Sequence, residues 1–212
     1  MCGRYAISLD PDQLATHFHA EPSETPLRAR LNAAPSEYLP VLLNSDERRI
    51  SLLRWGLIPS WAKDPTIANN LINARAETIE EKPSFRDAFK KRRCLVLADA
   101  FYEWQSLPNG KKQPMKIALQ SGEPFAFAGL WEQWQPPEGE PLRTFTIITT
   151  SANPLIESIH QRMPVMLTPK GEQMWLDNQA SVEVWRNLLL PFEADLMKIE
   201  PVTSDILRQS GM

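Results

Sequence analysis

The sequence predicts a single α+β domain over residues 1–212, built mainly from short strands with short helices between them. Three observations predict it. Short apolar segments recur along most of the chain, each bounded by turn-forming residues. There are 19 prolines against 8 glycines, which implies stiff, irregular connections rather than long regular elements. The chain has 212 residues, 42% hydrophobic and 23% charged, which fits one large domain or two small ones with ample length for a core, and no repeat, low-complexity tract or linker divides it.

The elements follow in order. Residues 2–8 read as a strand that sets Cys2 and Arg4 on one face and Gly3 and Tyr5 on the other. Asp10-Pro11-Asp12-Gln13 starts a helix, with Asp10 as N-cap, Pro11 in the first helical position and Gln13 closing a capping box. Residues 20–37 read as loop and include Asn32-Ala33-Ala34-Pro35. Residues 38–44 and 50–56 read as a hairpin joined by a polar stretch. In the proline-bounded loop that follows, Trp61 is either a core plug or a stacking surface.

Residues 71–77 alternate, with Asn73, Arg75 and Glu77 on one face and Ile72, Ala74 and Ala76 on the other. Three polar groups projecting together form either a site or the wet face of an edge strand. Residues 78–93 read as helical, restarting near Pro83-Ser84, and the run Lys90-Lys91-Arg92-Arg93 reads as a solvated face suited to a helix C-terminus. Residues 94–98 form a buried strand with Cys94 as an inert core thiol. In the strand 100–105, Phe101, Glu103 and Gln105 oppose Tyr102 and Trp104, so Glu103 is either a desolvated carboxylate suited to proton transfer or a paired surface group.

Asn109-Gly110 marks a hairpin turn, and residues 113–119, 125–131 and 144–150 are strands. Asn153-Pro154 caps a short helix ending near His160, and His160-Gln161-Arg162-Met163-Pro164 turns into the strand 165–167. Thr168-Pro169 starts another helix and Ser181 caps a further one to residue 190, with Trp175 and Trp185 as core anchors; residues 196–202 are the last strand.

Composition narrows the function. A net charge of −3 argues against broad adhesion to nucleic acid but leaves room for a local basic groove. No apolar run approaches the roughly 20 residues of a membrane span, and no apolar leader opens the chain, so a cytoplasmic setting without membrane association is expected. Cys2 and Cys94 form no close pair, which suits a reducing compartment. The three histidines and two cysteines show no ligand spacing, so neither metal nor cofactor is expected. His17 and His19 read as surface or boundary residues.

Cys2 carries the chemistry. Removal of Met1 would leave an α-amine and a thiol on adjacent carbons, a 1,2-aminothiol that traps aldehydes as thiazolidines. With pKa values near roughly 7.7–8 and about 8.5, usable fractions of both nucleophiles exist at neutral pH. Arg4, two residues on, either lowers both further or is a solvated surface charge. The plain alternative is a small residue buried early in the chain.

Met1-Cys2-Gly3-Arg4-Tyr5, Asn73-Ala74-Arg75-Ala76-Glu77-Thr78, Phe101-Tyr102-Glu103-Trp104 and His160-Gln161-Arg162-Met163-Pro164 together resemble the SRAP family, the SOS response-associated peptidases. The resemblance covers essentially the whole chain. It implies an antiparallel, barrel-like β core flanked by short helices. It also implies recognition of abasic sites in single-stranded DNA in the DNA damage response, a covalent crosslink through Cys2, and self-removal of Met1. Carried onto this chain, Cys2 is the nucleophile, Asn73 orients the amine or the sugar, Glu103 shuttles protons, and His160 assists at the opened sugar. Arg4, Arg75 and Arg162 would contact phosphates, and Trp61 and Pro35 would stack or wedge beside the lesion. The expected partner is abasic single-stranded DNA bound by a monomer, nucleoid-associated once crosslinked.

Two other functions compete. An N-terminal-nucleophile amidotransferase also begins Met-Cys-Gly and uses its free amine as base, but this chain shows no convincing partner set for it. A plain single-strand binding module would leave Cys2 incidental.

Overall fold

The computed structural model describes residues 2–45 and 47–203. In chain order the strands are β1 (Tyr5–Ile7), β2 (Arg30–Ala33), β3 (Tyr38–Leu43), β4 (Ile50–Trp55), β5 (Asn73–Arg75), β6 (Arg93–Ala98), β7 (Ala100–Ser106), β8 (Lys112–Leu119), β9 (Phe125–Trp134), β10 (Leu142–Ser151), β11 (Arg162–Pro164), β12 (Met166–Leu167) and β13 (Met197–Pro201). The helices are α1 (Pro11–His17), α2 (Arg86–Lys91), α3 (Pro154–Glu157), α4 (Pro169–Leu176) and α5 (Val182–Asn187). None of the described helices is long and apolar enough to cross a membrane.

β3, β4, β10, β9 and β6 close into a five-stranded barrel. A ring with an odd number of strands cannot alternate direction all the way round, so one pairing must be parallel. Here it is β4 with β10, through Thr144↔Arg54 and Phe145↔Trp55. β10 is long enough to run past the barrel, where it holds β5 in parallel on one edge and β11 antiparallel on the other. The expected antiparallel, barrel-like core is therefore present, with one parallel pairing built into it and a second just beyond it.

A second, antiparallel sheet runs β13-β8-β7-β1-β2. Its inner face packs on the barrel: Tyr5 meets Trp55 and Phe127 edge-on at 5.2 and 5.8 Å, and Phe101 meets Phe127 at 5.9 Å. Its other face carries a small cluster of Ala6, Ala100, Tyr102 and Ala118, so the alternation read across residues 101–104 is real. Asp10, Asn153, Thr168 and Ser181 cap their helices through their side chains, as their positions imply.

Three departures have physical reasons. Residues 30–33, expected to be loop, form a strand along the free edge of β1; the period-2 run Leu27-Arg28-Ala29-Arg30-Leu31-Asn32-Ala33 carried that signal in the sequence. Residues 78–93 are helical only over Arg86–Lys91, because Pro83 interrupts the preceding turns and Phe85 supplies no side-chain cap. Arg93, expected on a solvated face, is 0% exposed. It starts β6, and its guanidinium turns inward to donate to Phe89 O and Lys90 O at 3.1 and 3.0 Å, Trp175 O at 2.8 Å and Asn178 Oδ1 at 3.0 Å. It also lies 3.4 Å from the centre of the Trp185 ring. Burial pulls its pKa down to about 10, so the group stays charged at neutral pH while knitting the ends of α2 and α4 together.

Arg93→Met should lower stability by about 3 kcal/mol or more, since it strands several buried carbonyls at once; a urea midpoint unchanged from wild type would contradict this. Glu172, buried in the first turn of α4, has its pKa pushed up to about 7 by desolvation. An acid whose folded pKa exceeds its unfolded value destabilises the fold as pH rises from the unfolded toward the folded value. Glu172→Gln should therefore raise the denaturation midpoint at pH 8, and the gain should vanish near pH 4.

Candidate active site around Cys2

The antiparallel ladder between β1 and β7 places the N-terminal residues. Tyr5 pairs with Phe101, and Tyr102 N donates to Arg4 O at 3.0 Å, so residues 2–4 run beside Glu103. Cys2 is fully buried. Asn73, at the start of β5, donates from Nδ2 to Cys2 O at 3.0 Å and is itself seated opposite Ile147 of β10. Its Oδ1 is buried and accepts no hydrogen bond among the described residues. Glu103 is 4% exposed, so it does not lie on the surface.

The thiol departs from expectation. Burial is the main cause that pushes the Cys2 pKa up, and the negative charge of Glu103 adds to it. Arg4 does not overcome this: its Nη1 donates to Gly3 O at 2.9 Å, and the thiol makes only a weak 3.7 Å contact to Arg4 O. At neutral pH the thiol is held protonated.

Beyond the barrel, β10 gathers a second set of groups. Arg162, opposite Ser151, sends its guanidinium back across β10. Nη1 and Nη2 grip Glu77 Oε1 and Oε2 at 2.5 and 2.9 Å, and Nη2 also donates to Thr149 O at 2.7 Å. This pair holds the Glu77 carboxyl below the usual carboxylate range. Because Glu77 follows β5 and Arg162 begins β11, the pair ties the strand that bears Asn73 to the turn that bears His160. Within that turn, Arg162 N donates to His160 Nδ1 at 2.9 Å, which fixes the ring's orientation.

The sequence-derived residues thus fall into groups. Asn73 bonds to Cys2, Glu103 lies close enough to act on the Cys2 thiol electrostatically, and His160 and Arg162 sit together in one turn across β10 from β5. Arg75 is exposed and Arg4 is half-buried. Trp61 is 56% exposed, which decides for an open ring over a core plug. Pro35 lies in the turn between β2 and β3. Thr149 was missed: in sequence it is an ordinary residue inside a strand, and only the folded-back Arg162 gives it a role. No cluster of three or more acidic, histidine or cysteine groups able to hold a metal occurs among the described residues.

While Met1 is present, the native protein should react with a thiol-specific dye at least about tenfold more slowly at both cysteines than the urea-unfolded chain does. One fast thiol in the native state would contradict the buried, protonated Cys2.

The family model described as SOS response associated peptidase (SRAP) matches residues 1–209. The abasic site processing protein YoqW of Bacillus subtilis (strain 168) is 45% identical over 208 residues, covering 96% of this chain and 93% of that protein. The abasic site processing protein HMCES of Gallus gallus is 35% identical over 220 residues, covering 84% of this chain and 66% of that protein. A crystal structure of a Bacteroides thetaiotaomicron protein superposes with a TM-score of 0.90 at 29% identity, over 99% of this chain and 95% of the other. With a family match along nearly its full length, and relatives and folds that agree with it, the chain belongs to the SRAP family.

Proposed function

We propose that this protein, once Met1 is removed, captures abasic sites in single-stranded DNA by forming a thiazolidine between Cys2 and the ring-opened sugar. The relatives named as abasic site processing proteins support the substrate. The observation that carries the chemistry is the hydrogen bond from Asn73 to the Cys2 carbonyl, with buried Glu103 beside the thiol.

The steps balance as follows. The Cys2 amine adds to the sugar aldehyde and water leaves, giving an imine. The Cys2 S–H then adds across the C=N bond, sulfur to carbon and proton to nitrogen, closing the five-membered ring. A thiol held protonated by burial suits this order, because it waits until the imine exists and then supplies its own proton. Glu103 carries protons during loss of water, Asn73 Oδ1 receives the freed amine, and His160 acts on the opened sugar. Arg4, Arg75 and Arg162 face phosphates, with Trp61 and Pro35 beside the lesion. Arg162 enters this role already gripped by Glu77 and Thr149, so it offers a phosphate only part of its fork. The peptidase of the family description corresponds to release of Met1. The amidotransferase alternative still lacks a convincing partner set in this chain.

Intact-mass analysis with an oligonucleotide bearing one abasic site tests the proposal. The expected product is the protein without Met1 plus the oligonucleotide minus one water. An adduct that persists in Cys2→Ala, or no adduct with wild type, would defeat it. Glu103→Gln should slow adduct formation by about 100-fold, while binding to an intact strand changes less than about twofold.

A further inference from the structure

On the β2–β3 side of the molecule lies a groove of about 250 Å³, lined by Leu27, Arg28, Arg30, Tyr38, Pro40 and Leu52. Its charge is unusual for a chain of net charge −3. Four other surface cavities each include a carboxylate: Asp99, Glu123, Glu193 and Glu47. This one has two arginines at its rim and no carboxylate in its lining. The nearest acidic residues in sequence are turned elsewhere, Glu37 accepting from Ala34 N at 3.3 Å and Glu24 lying 3.9 Å from Arg49.

The groove also presents an aromatic face. Tyr38 is 55% exposed, so its ring is placed against solvent rather than in the core. It pairs across the ladder with Arg54, whose guanidinium is steadied by Ser36 Oγ at 3.0 Å. An open ring with cations on both sides, over an apolar floor of proline and leucine, matches how sequence-tolerant single-strand binders hold bases and phosphates. The volume falls below the roughly 300–1,000 Å³ of small-molecule pockets, which fits one planar base better than a whole ligand.

Its place in the fold connects it to Cys2. β2 is hydrogen-bonded to β1, with Ile7 opposite Arg30 and Tyr5 opposite Ala33. Cys2 and the partner of Arg30 are thus five residues apart on one extended segment, about 16 Å at the rise of a strand. Pro35 stands at the end of β2 that is nearer Cys2.

We propose that the Arg28–Arg30–Tyr38 groove is a second binding site for the DNA strand, taking a base and its phosphates a few nucleotides from the captured sugar. This rests on the abasic-site function proposed above and adds a surface that extends it. Tyr38 stacks the base, and Arg28 and Arg30 neutralise two phosphates.

The test measures affinity for an intact 20-nucleotide strand across a salt series, using the full chain. The Arg28→Ala/Arg30→Ala double variant should bind about tenfold more weakly, with a salt slope shallower by about 1.4, the value for two single-strand phosphate contacts. Tyr38→Ala should weaken binding about tenfold with the slope unchanged. Both variants should still form the adduct with an abasic trinucleotide, which is too short to reach the groove, and that result also shows that they fold. Wild-type affinity and slope in the double variant would overturn the proposal, as would equal competition by a poly-glutamate peptide, which would mark the groove as a site for acidic proteins. A wild-type protein that binds through the groove yet forms no adduct would sink the crosslinking function and leave the groove standing.

Discussion

β10, ten residues long, pairs on both edges, with β4 then β5 on one and β9 then β11 on the other, and the rest of the molecule is arranged by that fact. A five-stranded ring needs one parallel closure, and β10 makes it against β4. A strand that closes a barrel in parallel with β4 can be followed, on the same edge, by another parallel neighbour, which is β5. On its other edge β9 gives way to β11. The polar residues of β5 and the His160–Arg162 turn are therefore set side by side by a requirement of closure. The Glu77–Arg162 pair then fastens the two neighbours to each other. Its energetic contribution is modest because Glu77 is half exposed, but a two-pronged contact between fixed elements defines geometry well.

The electrostatics at Cys2 run opposite to what a nucleophile is usually given. A low-pKa thiol sits near cations and water, whereas this one is buried beside a carboxylate and has its pKa raised. Such a thiol is a poor first attacker and a poor target for oxidation. It is well suited to act second, by addition to an electrophile already formed at the neighbouring nitrogen. Burial that would count against a free nucleophile is thus compatible with the order proposed above, in which the amine leads. Glu103 is buried near the same thiol.

Arg93 shows how a buried charge can be structural. It gathers carbonyls from the ends of two helices and leans on Trp185, keeping its charge because backbone oxygens replace water. Sequence placed it in a run of four basic residues, where Lys90, Arg92 and Arg93 look alike. Lys90 stays exposed, Arg92 pairs with Glu132 at 2.5 Å, and Arg93 goes inside. Nothing local distinguishes them.

Much was legible in the chain itself. Period-2 alternation set Phe101 and Tyr102 on opposite faces, side-chain caps fixed the helix starts, and the Met-Cys-Gly-Arg opening pointed to Cys2. These are local signals, written in neighbouring residues and governed by backbone geometry. Tertiary structure decided the rest: that residues 30–33 pair with β1, that Thr149 and Glu77 hold Arg162, that burial raises the Cys2 pKa, and that Asn73 reaches the Cys2 carbonyl. Each depends on a free strand edge, on exclusion of water, or on groups far apart in sequence brought within bonding distance. Those quantities exist only after the barrel has closed.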